Sequence, residues 1–322
     1  MRKWLFFLLC SLWLTSCSQD QPSIPSKQEE IISIATGGPH GPYYTIGTGL
    51  MNIYESNFGQ PTSVRSTDGT VENIQLLMDN KVELAFGMAD VASFAYMGED
   101  PFRTEGPFVE LRAMAALYPN YVQVVTLIDS PIQSIRDLKG RKVGVGAPNS
   151  GVEANSRLLL QGHGISYKDI EPYYLSYAEA IDQLRQRTID AAFVTSGLPN
   201  PSVIELMKTH NVRIVPIPVE EARALAETFP FFKLSEIPVG TYMNGKAIPT
   251  VAIQNLMLVR NDLSEERVYQ LTRAMFEHLE ELAQHHDAAK EIELQTAWTY
   301  MAVPYHSGAV KYYKEKQLTK KP

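Results

Sequence analysis

The chain has almost no cysteine. Among 322 residues there are two, Cys10 and Cys17, both close to the start. A disulfide framework and a thiolate nucleophile are thereby excluded for the remainder of the chain. Clusters of Lys and Arg are also missing, and the formal net charge is -7, which argues against nucleic acid as a partner. No apolar run reaches the length of a membrane-spanning helix; the longest, from Trp4 to Leu14, is too short. Neither Gly-x-Ser-x-Gly nor His-Glu-x-x-His occurs. Ser and His can still meet in space without a motif, so an extracytoplasmic hydrolase stays open on this ground alone.

What is present begins with an address. Arg2-Lys3 followed by the apolar run has the charge and length of a secretory signal. Leu14-Thr-Ser-Cys17 then resembles the bacterial lipobox, in which cleavage precedes a Cys that is acylated. The expectation is a signal over residues 1–17, a lipid on Cys17 and an extracytoplasmic protein anchored to the membrane, in a periplasm or at a cell surface. A simple cleaved signal with an incidental Cys is the alternative. Losing Arg2 and Lys3 takes the formal charge from -7 to -9. Residues 18–30 are polar, contain Pro22 and Pro25, lack periodicity and read as a flexible tether. The rest, of ordinary composition, suits two modest domains.

The stretch that organises the body is Asp137-Leu-Lys-Gly-Arg-Lys-Val-Gly-Val-Gly-Ala-Pro-Asn-Ser-Gly151. Lys142 to Gly146 reads as a strand, Ala147 to Gly151 as a turn, and the run from Val152 to Gly162 as a helix capped by Ser150 or Asn149. A strand that breaks into a Gly-containing loop at a helix N-terminus offers free N–H groups and a positive dipole end, which suits an anion. Gly146 and Gly151 have P-loop spacing, but Val152-Glu153 stands where Lys-Ser/Thr is required. Nucleotide hydrolysis is rejected; binding of a small anion or polar solute is kept.

The same order recurs upstream. Ile31 to Ile34 reads as a strand, and Ala35-Thr-Gly-Gly-Pro-His-Gly-Pro-Tyr-Tyr-Thr45 as a second Gly-rich loop. Ile46, Leu50 and Ile53 follow at helical spacing. Then come a strand at Thr62 to Arg65, a turn and helix cap at Ser66 to Thr70, and a strand at Glu83 to Phe86. IQLLMDNKVELAF from Ile74 to Phe86 aligns without gaps with IDQLRQRTIDAAF from Ile181 to Phe193. Each is an amphipathic helix, a tight turn and a strand expected to end in a small polar loop, Gly87 to Asp90 and Val194 to Gly197. Two α/β lobes with loops at the carboxyl ends of parallel strands put binding groups on both sides of a crevice. Tyr121 to Leu127 and Val251 to Val259 read as crossover strands of a hinge. Phe229 to Tyr242 reads as loop, and Ser264 opens one long helix with a stripe from Val268 to Leu282.

Few groups suggest chemistry. His278, Glu281 and His285 share a face of that long helix and read as a solvated polar face rather than a metal site. Asp68 and Asp90 follow strands; they form a carboxylate pair, or Asp68 simply caps a helix. Tyr43, Tyr44, Tyr118 and Tyr242 lie in or beside loops, where aromatics with a polar tip suit either a solute cleft or lobe packing.

Several ordered segments resemble one family. They are Gly37-Gly38 with Tyr43-Tyr44, Ser66-Thr-Asp-Gly-Thr-Val-Glu-Asn73, Ala116-Leu-Tyr-Pro119, the Asp137 to Gly151 stretch, Ile189-Asp-Ala-Ala-Phe193 and Pro304-Tyr-His-Ser-Gly-Ala-Val-Lys-Tyr-Tyr313. Together they resemble the TAXI branch of TRAP-transporter solute-binding receptors. The resemblance implies an α/β, two-lobed type II periplasmic-binding-protein fold with a hinge. Lobe 1 would comprise residues 31–120 plus 262–322, and lobe 2 residues 121–261. It implies no enzyme activity, no cofactor and no metal. The ligand would be a small carboxylate-bearing solute, an amino acid such as glutamate or an organic acid, and the partners integral TRAP transporter subunits. The site carried over is Tyr43, Tyr44, Thr67, Asp68, Gly69, Thr70, Asn73, Asp90, Asn149, Ser150 and Gly151, with Ser196 added. Two departures stand out: the first loop is longer than the family's Gly-Gly-x-Tyr-Tyr, and Asp68 adds a negative charge that disfavours a simple dicarboxylate. An ATP-driven importer or a solute sensor is the alternative use of such a fold.

Overall fold

The structure is a computed structural model and describes residues 31–300 and 302–318. The signal, the lipidation site at Cys17 and the tether all lie outside the described residues. In chain order the first half reads β1 Ile32–Ala35, α1 Pro42–Phe58, β2 Thr62–Arg65, α2 Thr70–Met78, β3 Leu84–Met88 and α3 Ala89–Met97. After the long strand β4 Leu111–Leu127 the pattern repeats as β5 Lys142–Gly146, α4 Gly151–Gly162, β6 Glu171–Tyr174, α5 Tyr177–Arg185, β7 Ala191–Ser196 and α6 Pro201–Met207. Then follow β8 Val212–Val215, α7 Val219–Thr228, β9 Lys233–Ile237, β10 Ile248–Arg260, α8 Glu265–Glu277, α9 Leu279–His285 and α10 Ser307–Glu315.

The strands order as β2-β1-β3-β10-β4-β7-β5-β6, with β8 added on β4 and β9 on β10. Two parallel triplets, β2-β1-β3 and β6-β5-β7, stand at the ends, and β10 and β4 run antiparallel between them. The internal similarity maps onto this symmetry. Ile74 and Ile181, Leu77 and Leu184, Val82 and Ile189, and Phe86 and Phe193 are buried pairs at matching places. Each triplet is covered on both faces, so its strands alternate between two cores rather than between core and water. In β7, Ala191 and Phe193 join the core under α4 and α7, while Ala192 and Val194 join that under α5 and α6. In the other half α1, α8 and α10 cover one face and α2 and α3 the other.

Three expectations are corrected here. Gly87 to Asp90 and Val194 to Gly197 are not loops: β3 runs through Met88 directly into α3, and β7 runs through Ser196. The run Ala89-Asp-Val-Ala-Ser-Phe-Ala95 is a good enough helix former to begin at once, which carries Asp90 into the interior. Phe229 to Tyr242 contains a strand, β9, which the weak alternation of Lys233-Leu-Ser-Glu-Ile237 conceals; it exists by pairing with β10. The long helix from Ser264 breaks at His278, whose φ of -124° departs from helical geometry. His278 Nδ1 lies 2.8 Å from the Ala274 carbonyl oxygen, and His285 packs against Gly49 of α1. The proposed common face of His278, Glu281 and His285 is therefore cut. No group of three metal-ligating side chains occurs among the described residues.

The Pro304 to Tyr313 segment has a packing reason. His306 Nδ1 accepts from Gly308 N at 3.1 Å and caps α10, while its Nε2 lies 3.0 Å from the Leu263 carbonyl oxygen. At Gly308 the two helices nearly touch: a Cβ there would strike the Glu265 carbonyl and lie 2.7 Å from Tyr269 N. Both obstacles are backbone, so nothing short of moving α10 relieves them. Gly308→Ala is expected to destabilise by about 3 kcal/mol, the upper end for overpacking, measured as a lowered urea midpoint with unchanged slope. A midpoint within error of the parent would contradict this crossing.

Candidate functional site

A cavity of about 360 Å³ lies between the two halves. It falls in the size range of small-molecule sites. Its walls come from the carboxyl ends of parallel strands: Gly37 to Tyr43 after β1, Ser66 to Thr70 after β2, Ala147 and Ser150 to Val152 after β5, and Leu175 to Ala178 after β6. Met88, Ser196 and Asn120 add to the lining from β3, β7 and β4. The N-cap residues of α1, α2, α4 and α5, namely Gly41, Gly69, Ser150 and Ser176, all line it. Four helix N-termini therefore converge on one cavity, each with first-turn N–H groups that lack intrahelical partners. Among the described residues no Lys or Arg lines the space; its charged side chains are Asp68 and Glu72.

Direct contacts join the two halves beside the cavity. Glu72 N donates to Asn149 O across the halves at 3.2 Å. Gly69 holds a φ of 130° that only Gly adopts without strain, and a Cβ there would sit 3.5 Å from Ser150 Cα. Ser150 caps α4 by accepting from Glu153 N at 3.1 Å, so the choice left open between Ser150 and Asn149 falls on Ser150. Further along, Arg157 pairs with Asp100 at 2.8 Å, and Phe94 meets Phe231 edge-on with ring centroids 5.5 Å apart. These contacts join α3 and the turn after it to the opposite half.

The expected site residues separate into three groups. Tyr43, Thr67, Asp68, Gly69, Thr70, Ser150, Gly151 and Ser196 line the cavity. Asn73 does not; fully buried, its amide nitrogen donates to the Thr36 and Phe86 carbonyls and its oxygen accepts from Thr67 Oγ1, which holds the β2 loop in place. Tyr44, Asn149 and Asp90 also lie off the lining. Tyr44 is on the other side of α1, Asn149 turns outward at a φ of 56°, and Asp90 is buried behind Met88. Asp68 and Asp90 are therefore not a pair. Nor does Asp68 cap α2: Gly69 takes the cap position, and Asp68 N instead donates to Glu72 Oε2 at 2.8 Å. Tyr118 and Tyr242 are buried away from the cavity, Tyr242 bonding Gln123 and Asn200 N.

Tyr43 presents its ring rather than its hydroxyl. Its Oη donates to Asn255, which exchanges amide bonds with Asn120 at 2.7 and 2.8 Å where β4 and β10 cross between the halves. Burial raises its phenol well above the usual range. Opposite, Tyr177 Oη donates to the Thr195 carbonyl at 2.6 Å, which leaves its ring over Gly41. Tyr177, Ser176, Asn120 and His40 were not expected in the site. The Ser176-x-x-Glu179 capping box two residues after β6 is the signal that marks Tyr177. Asn120 carries no local signal, because its role depends on a partner 135 residues away.

Residues 34–316 match the model of the NMT1-like family. The chain belongs to the NMT1-like family. Among curated relatives of this NMT1-like protein, an aliphatic sulfonates-binding protein of Escherichia coli is 28% identical over 121 residues, 38% of this chain and 33% of that one. The match thus spans about a third of that relative's length. Solved structures resemble it over more of the chain. A periplasmic transporter superposes with a TM-score of 0.54 at 14% identity, covering 92% of this chain and 94% of that one. The alkanesulfonate-binding protein of Xanthomonas axonopodis pv. citri, bound to MOPS, gives 0.51 at 14%, covering 89% and 90%. At such identities the likeness is one of fold, and the NMT1-like chain has the two-lobed type II periplasmic-binding-protein fold.

Proposed function

We propose that the protein is an extracytoplasmic solute-binding receptor, not an enzyme, that closes on a small organic oxyanion and delivers it to a membrane importer. The observation that carries this reading is the convergence of four helix N-termini from both halves on one cavity that, among the described residues, no Lys or Arg lines. Backbone N–H groups would hold the carboxylate, sulfonate or phosphonate head. The rings of Tyr43 and Tyr177 would flank an uncharged body. The lobes, taken as residues 31–120 plus 262–322 and 121–261, would rock about the middle of β4 and β10. A lipid on Cys17 would keep the receptor at the membrane.

For the transporter, support leans to an ATP-driven importer. The family match and the sulfonates-binding relative favour it, as does the fold shared with the binding-protein component of a phosphonate ABC transporter from Pseudomonas aeruginosa, at a TM-score of 0.50 and 15% identity over 81% of this chain and 79% of that one. The TRAP reading rests on the ordered TAXI-like segments. A neighbouring gene for an ATPase, rather than an integral TRAP-type protein, decides between them.

The acidic rim narrows the solute. Asp68 is held above the usual carboxylate range by partial burial, then by Glu72 and Glu179. A second anionic group pointing outward would meet these carboxylates. In a thermal-melt scan, monoanionic or zwitterionic sulfonates, phosphonates and amino acids are expected to stabilise, and dicarboxylates such as succinate are not. A ligand at a thousand times its Kd stabilises by about 4 kcal/mol. Asp68→Asn combined with Glu72→Gln should admit dicarboxylates. Equal shifts with mono- and dicarboxylates in the parent would remove the rim's role; no shift with any oxyanion would remove the oxyanion reading.

A further inference from the structure

Among the described residues, Asp90 is the one carboxylate whose two oxygens are both buried without a hydrogen-bond partner. It sits in the first turn of α3, wholly buried, and neither oxygen has a hydrogen-bond partner among the described residues. Its surroundings cross the lobe boundary. Met88, two residues earlier, lines the cavity, and Asn155 of α4 is the polar side chain facing from the other half. That amide is already engaged: its nitrogen donates to the Gly151 carbonyl and Met88 Sδ, and its oxygen accepts from Thr195 Oγ1 at 2.8 Å.

Charged neighbours do not relieve it either. Glu72 on α2 is turned to Asp68 N; Glu153 and Arg157 on α4 pair with each other, and Arg157 with Asp100. Arg260 on β10 bonds the Leu77 and Val82 carbonyls and Asp262. The titratable groups that feel Asp90 are the phenols of Tyr43 and Tyr300, both neutral. An ionised carboxylate enclosed this way lacks a counterion, and the nearby N–H groups of Val91, Asn155 and Asp90 itself, none in full hydrogen-bond geometry, offset only part of the penalty.

We propose that closure of the two lobes takes up a proton at Asp90, so that mildly acidic conditions favour the closed, solute-holding form. The inference rests on reading the protein as a receptor whose halves part and close. Swinging α4 away removes the wall that carries Asn155 and lets water reach Asp90. In that open form the group titrates near an ordinary Asp, about 3.9; closed, burial pushes it up to about 6. Those two values set the linkage. The closed-to-open ratio rises about ten-fold between pH 7.5 and pH 5.0 and is nearly flat above pH 7.

The test is a distance measurement in the full chain carrying Cys10→Ser and Cys17→Ser. Spin labels go on Lys81→Cys in one half and Lys168→Cys in the other, without added solute. The parent is expected to shift about ten-fold toward the short-distance population between pH 7.5 and pH 5.0. Asp90→Asn and Asp90→Ala should give populations independent of pH, with more of the short distance at pH 7.5 than the parent. A parent insensitive to pH, or an Asp90→Asn protein that keeps the parental response, overturns the proposal. The outcome is separable from the receptor reading. Proton-linked closure with no solute binding would sink the receptor and keep the linkage, and tight solute binding with pH-independent closure would do the reverse.

Discussion

Gly151→Val is expected to abolish solute binding, with affinity falling at least a hundred-fold by calorimetry, while each lobe stays folded. Gly151 begins α4, and a Cβ there would lie 2.9 Å from Thr70 Oγ1 and 3.0 Å from Met88 Sδ, both in the other half. Valine adds two further methyl groups in the same direction. Within its own half the residue is the first of a helix, where a β-branched side chain meets little crowding, so α4 should still form. The clash is therefore directed at closure, not at folding. Opening the lobes relieves it, and the opened cleft no longer places the N-termini of α2 and α4 on the same solute. About 2.7 kcal/mol corresponds to a hundred-fold change, which lies within the range for overpacked contacts. Scattering should report a more open particle that no solute compacts. Retained affinity with a compact particle would mean that the cleft does not close on the Gly151–Thr70 contact.

Much of this arrangement could be read from the letters because it is local or periodic. The αβ repeat of Ile74 to Phe86 and Ile181 to Phe193, the strand at Lys142 to Gly146 and a cap at Asn149 or Ser150 all follow from short-range patterning, and the structure selects Ser150. The Gly-rich loops were placed at the cavity for the same reason: strand, turn and cap residues lie adjacent in the chain. What escaped depends on distant partners. Asn120 enters the lining through its amide exchange with Asn255, and Tyr43 presents a ring because that pair also takes its hydroxyl. Asn73, expected to touch solute, instead supports the loop that does. A polar side chain near a helix start reads the same whether it faces a ligand or two backbone carbonyls and a hydroxyl. The strand β9 and the break at His278 escaped because pairing and packing, rather than propensity, decide them.

Asp90 was expected among the solute contacts and is instead enclosed behind the floor, which makes its effect on stability the sharpest consequence of the fold. Its folded value, about 6, stands above that of the unfolded chain, about 3.9. The folded form thus holds the proton more tightly. The contribution of Asp90 to stability is fullest below about pH 4, declines as pH rises from there to 6, and stays reduced above 6. The two values differ by about two units, worth roughly 3 kcal/mol at neutral pH. Asp90→Asn keeps the shape and removes the charge. It should raise the melting temperature at pH 7.5 by several degrees, with about half of that gain left at pH 5.0. Lobe opening caps the gain, because a parent that opens to wet Asp90 avoids the penalty while still folded. If opening costs only about 1 kcal/mol, the variant gains no more than about that in melting, while its closed-to-open ratio still rises by the full linkage energy. Equal melting temperatures and equal closed populations for parent and variant at pH 7.5 would mean that Asp90 is solvated in the resting protein, and the enclosed carboxylate would lose its role.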